Sequence, residues 1–177
     1  MRDLGPIDPQ DAGRTVTHLL RWMSALLPAT ASAYLALPDE VDVTGLFDSL
    51  PGWRWVLPRL EEDGSMTFRD RDVPREIHAL GMSQPGASGV VTPLHEIDLF
   101  LVPGLAFDAR GGRLGRGSGH FDRLLARRRS QSLVVGVTTM AHVVDEVPIG
   151  PHDQRVDWLA TDKGVTECFP RSGPSRR

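Results

Sequence analysis

The sequence predicts an α/β domain of three layers built around a mainly parallel sheet. Three observations carry this. Short apolar runs, several of them β-branched, recur along the chain and are separated by amphipathic or polar stretches. The connections between them are short, as in alternating strand–helix units. A glycine-dense loop, Gly111 to Gly119, follows one apolar run and precedes an apolar-basic one.

The elements follow in order. Pro9 to Leu27 reads as a helix, with Asp8 or Asp11 able to cap its start. Val16, Leu19, Leu20, Met23, Leu26 and Leu27 make one apolar face, which Thr15, His18 and Arg21 lie off, and Pro28 ends the helix. Ser32 to Leu37 reads as a strand ended by Pro38, with the acidic loop Asp39-Glu40-Val41-Asp42 at its carboxyl end. Ligands bind at that end of strands in open α/β sheets, although such acids also serve as a turn and cap before a helix over Val43 to Leu50. Trp53 to Leu57 reads as a strand whose two Trp share one face. Met66 to Arg69 reads as a short hairpin strand, and Pro74 to Leu80 as one or two helical turns with Pro at the start. Gly81 to Pro93 is a Gly-, Pro- and Ser-rich loop. Leu99 to Val102, Ser132 to Val137 and Val156 to Ala160 read as strands, and Phe121 to Arg129 as a helix.

Strand, glycine loop, helix is how a chain cradles phosphate. Glycines let backbone N–H groups turn inward, and a helix start adds partial positive charge. Arg113 and Arg116 supply forked donors suited to phosphate oxygens. The loop is not a Walker A motif, since no Lys follows its last glycine, and it is not a clean GxGxxG. Asp122 follows directly on it. A triphosphate needs Mg²⁺, which takes one or two carboxylates plus phosphate oxygens.

Composition bounds the rest. At 177 residues, 40% hydrophobic and 24% charged, one domain over residues 1–168 is expected, with a basic Pro/Ser/Gly tail, 169–177, read as disordered. A net charge of −3 argues against a nucleic-acid partner, and no aromatics interleave with Arg127-Arg128-Arg129. The lone Cys168 excludes an internal disulfide framework and is read as a small apolar filler. No long uncharged apolar run or apolar signal core is present, so no membrane association is expected. The expectation is a cytoplasmic monomer. The six His show no HExxH spacing, and GSG at Gly117 to Gly119 is no nucleophile elbow.

The run PGLAFDARGGRLGRGSGHFD, Pro103 to Asp122, strongly resembles the 5-formyltetrahydrofolate cyclo-ligase family, which carries PGLAFD followed by RLGRGGGYYDR. Weaker resemblance covers Ala33 to Asp42 and Asp145 to Thr161, and Gly81 to Pro93 resembles a segment bordering the family's folate pocket, with Met82 in it. The resemblance implies a Rossmann-like fold shared with sugar-phosphate isomerases and CoA transferases. It implies a ligase that converts 5-formyltetrahydrofolate to 5,10-methenyltetrahydrofolate, using ATP with Mg²⁺ and releasing ADP and phosphate. It places Arg113, Gly115, Arg116, Gly117, Ser118, Gly119 and His120 on ATP, with Arg116 and Asp122 catalytic. Asp122 and Asp153 would hold Mg²⁺; Glu40, His120 and Phe121 would meet the reduced folate; Asp157 matches a further family aspartate, a possible ion-pair partner. This chain departs from the pattern in two places. No Lys precedes Lys163, so the family's early Lys-x-x-x-Arg helix is not found, and Gly-Tyr-Tyr-Asp becomes Gly119-His120-Phe121-Asp122. Two classes therefore stay open: an ATP-dependent cyclo-ligase, and a folate- or nucleotide-binding paralogue without efficient turnover.

Overall fold

The computed structural model describes residues 4–79 and 81–168. Over these the chain runs α1 (Pro9–Ser24), β1 (Thr30–Ser32), α2 (Leu46–Ser49), β2 (Arg54–Leu60), β3 (Met66–Asp70), β4 (Arg75–Ile77), β5 (Ser83–Pro85), β6 (Val91–Thr92), β7 (Leu99–Val102), β8 (Ala106–Asp108), β9 (Arg113–Leu114), α3 (His120–Leu125), β10 (Leu133–Val137), β11 (Val143–Val144), β12 (Trp158–Thr161) and β13 (Gly164–Glu167). The expected tail lies outside the described residues.

The main sheet has the order β13-β12-β10-β7-β1-β2-β3-β6. Its middle five strands, β12 to β2, pair in parallel, and both flanks are antiparallel. The fold is thus a mixed α/β domain with a large, mostly parallel sheet. From β1 the chain adds β2 on one side and later β7 and β10 on the other, so the order reverses between β1 and β7. A crevice opens at the carboxyl ends of the strands at such a point.

The strands are apolar on both faces because both faces are covered. Leu99, Leu101, Val135 and Val137 point to one side, into a core with Leu19 and Met23 of α1. Phe100, Val102 and Val134 point to the other, with Leu124 and Leu125 of α3. The two-residue period alone divides the cores. Asp8 caps α1, accepting from the Gln10 and Asp11 amides. Trp22 packs on Trp158 with ring centroids 5.3 Å apart.

Several expectations need correction. Thr15 lies on the buried face of α1, where its hydroxyl donates to Thr138 O at 3.0 Å. Leu27 is exposed, because the helix ends at Ser24 and the helical period no longer governs it. The strand expected over 32–37 is β1, two residues earlier; only Ala33 extends its ladder, donating to Val56 O. Helix 43–50 shrinks to α2. The strand expected over 53–57 runs on through Pro58, which β2 tolerates because its pairing with β1 stops at Val56. The helical turns expected from Pro74 are a strand where described: Arg75–Ile77 is β4, paired antiparallel with β5 inside the supposed loop, and Leu80 lies outside the described residues. The helix expected over 121–129 stops at Leu125, after which Arg129 is drawn to Asp98 at 2.6 Å.

Candidate functional site

A cavity of about 510 Å³ opens at the reversal point. The segment after β1 gives Tyr34, Leu35, Leu37 and Glu40. The end of β2 gives Pro58 and Leu60, and the β4–β5 hairpin gives Met82, Ser83 and Gln84. Pro103 and Gly104 follow β7, and Arg113 to Asp122 close the far side. One wall is therefore apolar and the other polar, the usual layout of a small-molecule site.

The glycine-dense segment does not leave a strand and enter a helix directly. After β7 the chain forms β8 and β9, which join β11 in a separate small sheet. Gly111 and Gly112 belong to the β8–β9 turn. Gly111 has φ +81°, and a Cβ there would lie 2.2 Å from Val156 O. Only glycine fits both the conformation and the approach. Asp108 organises this turn, accepting from the Arg110, Gly112 and Val147 amides at 2.8 to 2.9 Å. Its only signal in the sequence is an Asp before a Gly-rich turn. What remains to line the cavity is Gly115 to Gly119, followed by the short α3.

The two arginines differ sharply. Arg113 is buried; it donates to Asp122 Oδ2 at 2.8 Å, and its guanidinium lies 5.6 Å from the Phe121 ring centre. Arg116 is 42% exposed in its side chain and reaches across the cavity mouth to Asp39, with Nε 3.5 Å from Glu40 Oε1. Glu40 is nearly buried and also accepts from the Leu37 amide at 3.0 Å. Burial, and secondarily the Glu40 and Asp42 carboxylates, push the Tyr34 hydroxyl well above its usual range, so it stays protonated and donates to Val41 O at 2.8 Å.

A second cavity, about 790 Å³, lies on the other side of α3. Arg123, Arg127, His152 and Gln154 line it, and it shares Met66, Gly119, His120, Asp122 and Asp153 with the first. His120 thus stands between the two. Its Nδ1 is 3.0 Å from Arg123 Nη2. A guanidinium can only donate, so Nδ1 accepts and the neutral ring carries its proton on Nε2. Burial, and then the Arg123 charge, hold the imidazole below its ordinary pKa.

Among the described residues no group of three or more His, Cys, Asp or Glu could by itself hold a metal. Asp122 accepts from Arg113 on one oxygen and from the Gln154 amide on the other. Asp153 accepts from the Gly150 amide at 2.7 Å. A carboxylate offers roughly four acceptor positions, so both keep lone pairs. That donor set suits a cation that arrives with its own phosphate and water ligands, not a closed protein cage.

The structure brings Glu40, Gly115 to Asp122 and Asp153 to one site, with Met82 on its hairpin wall. Asp157 forms a hydrogen bond with the Val134 amide at 2.8 Å instead of the expected ion pair. Cys168 is a buried filler as expected, its thiol pushed up to about 12 chiefly by burial. Sequence reasoning missed Asp39 and Arg123. Asp39 was readable only as a turn residue, because its partner lies 77 positions away.

A mixed α/β domain with a half-apolar, half-charged cleft at a sheet reversal is a ligand-binding α/β protein. Residues 10–162 match the profile of the 5-formyltetrahydrofolate cyclo-ligase family. The chain is 31% identical over 153 residues to the 5-formyltetrahydrofolate cyclo-ligase of Mycolicibacterium smegmatis, covering 80% of this chain and 79% of that one. It is 37% identical over 89 residues to the mitochondrial 5-formyltetrahydrofolate cyclo-ligase of Arabidopsis thaliana, a stretch spanning 45% of this chain and 32% of that one. The solved 5,10-methenyltetrahydrofolate synthetase of Aquifex aeolicus superposes with a TM-score of 0.76 at 29% identity, over 97% of this chain and 89% of that chain. The chain belongs to the 5-formyltetrahydrofolate cyclo-ligase family, a family of ligases. No described helix is long and apolar enough to cross a membrane.

Proposed function

We propose that this protein converts 5-formyltetrahydrofolate to 5,10-methenyltetrahydrofolate, consuming ATP with Mg²⁺ and releasing ADP and phosphate. The observation that carries the reading is the pairing, across one cavity, of a half-exposed Arg116 in a glycine-rich segment with a nearly buried Glu40 beside an apolar wall. Membership of the 5-formyltetrahydrofolate cyclo-ligase family supports this choice of substrates.

The formyl oxygen on N5 attacks the γ-phosphoryl group, ADP leaves, and a poor leaving group becomes a good one. N10 then attacks the activated carbon, and phosphate departs as the ring closes. The protein's work in such a transfer is positioning and charge stabilisation. Arg116 draws phosphate charge, with the Gly115, Gly117, Ser118 and Gly119 backbone beside it. Arg113 is committed to Asp122 and orients that carboxylate. Asp122 and Asp153 would hold Mg²⁺, which would neutralise phosphate charge there. Glu40 receives N–H donors of the reduced pterin, which lies against Leu35, Leu60 and Met82. His120 and Phe121, at the junction of the cavities, flank the reacting centre.

Mixing the protein with 5-formyltetrahydrofolate and MgATP should raise the methenyl absorbance in proportion to enzyme, and omitting ATP should abolish the rise. Binding of both ligands without any rise would replace this reading with that of a binding protein.

A further inference from the structure

Arg116 serves two carboxylates that a bound nucleotide would have to displace. Its guanidinium is paired with Asp39, and its Nε lies 3.5 Å from Glu40. Glu40 is 8% exposed in its side chain, and its hydrogen-bond donor is the Leu37 amide. The Tyr34 hydroxyl is close enough for the Glu40 charge to raise its pKa, but its single proton goes to the Val41 carbonyl. Arg116 is therefore the cation that makes the burial of Glu40 tolerable.

We infer that Arg116 is shared between the two substrates, and that Asp39 is a positioning residue holding it on the folate side until folate binds. The inference rests on Arg116 as a phosphate ligand and Glu40 as a pterin ligand. If a triphosphate takes Arg116 while the folate position is vacant, Glu40 is left as a buried carboxylate with one amide donor. Such a group is costly. A reduced pterin brings amine and ring N–H donors to Glu40 and removes that cost, because a carboxylate bonds such donors strongly. Folate binding then releases Arg116 towards the phosphates, and nucleotide binding clears Glu40 for the pterin. Each ligand tightens the other, and linkage requires both factors to be equal. Asp39, about half-exposed, holds Arg116 only in the folate-free state, so its effect falls on nucleotide affinity and not on the fold.

The test is equilibrium titration with Mg²⁺ and the non-hydrolysable analogue AMP-PNP, with and without saturating 5-formyltetrahydrofolate, in the parent and in Asp39→Asn. In the parent, folate should lower the AMP-PNP Kd by about tenfold, within the usual range for coupled sites, and AMP-PNP should lower the folate Kd by the same factor. Asp39→Asn should bind AMP-PNP alone about threefold tighter, show a correspondingly smaller gain from folate, and lower the KM for ATP without raising kcat. Its melting temperature should match the parent's. A parent with less than twofold coupling, or an Asp39→Asn variant whose lone AMP-PNP affinity is unchanged or weaker, overturns the inference. Arg116→Ala separates the layers. If it leaves AMP-PNP affinity intact, the phosphate role itself is wrong; if it weakens AMP-PNP while the parent shows no coupling, only the sharing is wrong.

Discussion

Arg113 and Arg116 belong to one glycine-dense segment and carry the same charge, yet one is a buried strut and the other a half-exposed reach across a cavity. Local spacing cannot separate them. The separation comes from β8 and β9, which fold Arg113 inward onto Asp122, and from an acidic turn far earlier in the chain that meets Arg116. The Asp122 side chain is only 17% exposed, so removing its guanidinium leaves a poorly solvated charge with the Gln154 amide for company. Arg113→Ala should therefore cost about 3–5 kcal/mol of stability, the range for breaking a buried pair by deleting one partner. Urea denaturation of the variant checks this, and a loss under about 1 kcal/mol would show that Asp122 relaxes into solvent. The motif residues themselves were legible because they are contiguous. Asp39 was not, because what defines it is a partner 77 positions away that only folding brings close.

At the scale of elements, the interior strands were readable and the β4–β5 hairpin was not. Leu99–Val102 and Leu133–Val137 are short, continuously apolar and buried on both faces, a pattern that few other elements produce. The hairpin has no such pattern. Arg75, Glu76 and Ile77 are all exposed, and Pro74 suggested a helix start. Charge holds the hairpin in place. Arg59, nearly buried on β2, donates to Pro85 O at 2.7 Å and pairs with Glu61 and with Glu76 of β4, while Arg69 pairs with Glu61 at 2.8 Å. The Gln84 side chain bonds both backbone groups of Leu60. Burial would raise the Glu61 pKa, but the Thr67 hydroxyl and the Arg59 and Arg69 guanidiniums outweigh it and hold it below 4.5; Arg59 lowers Glu76 likewise. Groups with depressed folded values stabilise the protein above their unfolded pKa and stop doing so as pH falls through the folded one. Acidification below about 4.5 should therefore loosen this hairpin first. Amide-exchange protection at Glu76 and Gln84, an opposed pair of the β4–β5 ladder, should drop before that at Val135 in the buried β10; simultaneous loss would mean that the hairpin is not a separate electrostatic unit.

For the whole molecule, the decisive feature is that the cavity is assembled from segments far apart in sequence. Tyr34 to Glu40, Pro58 to Met66, Met82 to Gln84, Pro103 to Asp122 and Pro148 to Asp153 all contribute to its lining. The fold class was legible because apolar alternation reports the sheet, and the sheet's reversal point fixes where those segments converge. Their mutual geometry was not, since it depends on where each segment leaves the sheet: β1 ends at Ser32, five residues before the end of the strand expected there, and that early exit is what puts Tyr34 to Glu40 on the cavity wall. A ligand seated there bridges all of these segments, and the unfolded chain has no equivalent site. Binding to the native state alone adds RT ln(1 + [L]/Kd), about 2.7 kcal/mol at a hundredfold excess over Kd. For a domain of this size each kcal/mol moves the midpoint by about 2–4 °C, so saturating 5-formyltetrahydrofolate should raise the melting temperature by about 5–11 °C. Glu40→Gln, which leaves the apolar wall intact but removes the carboxylate, should forfeit most of that rise while melting near the parent temperature on its own. A full rise in the variant would place the pterin elsewhere in the cavity, away from Glu40.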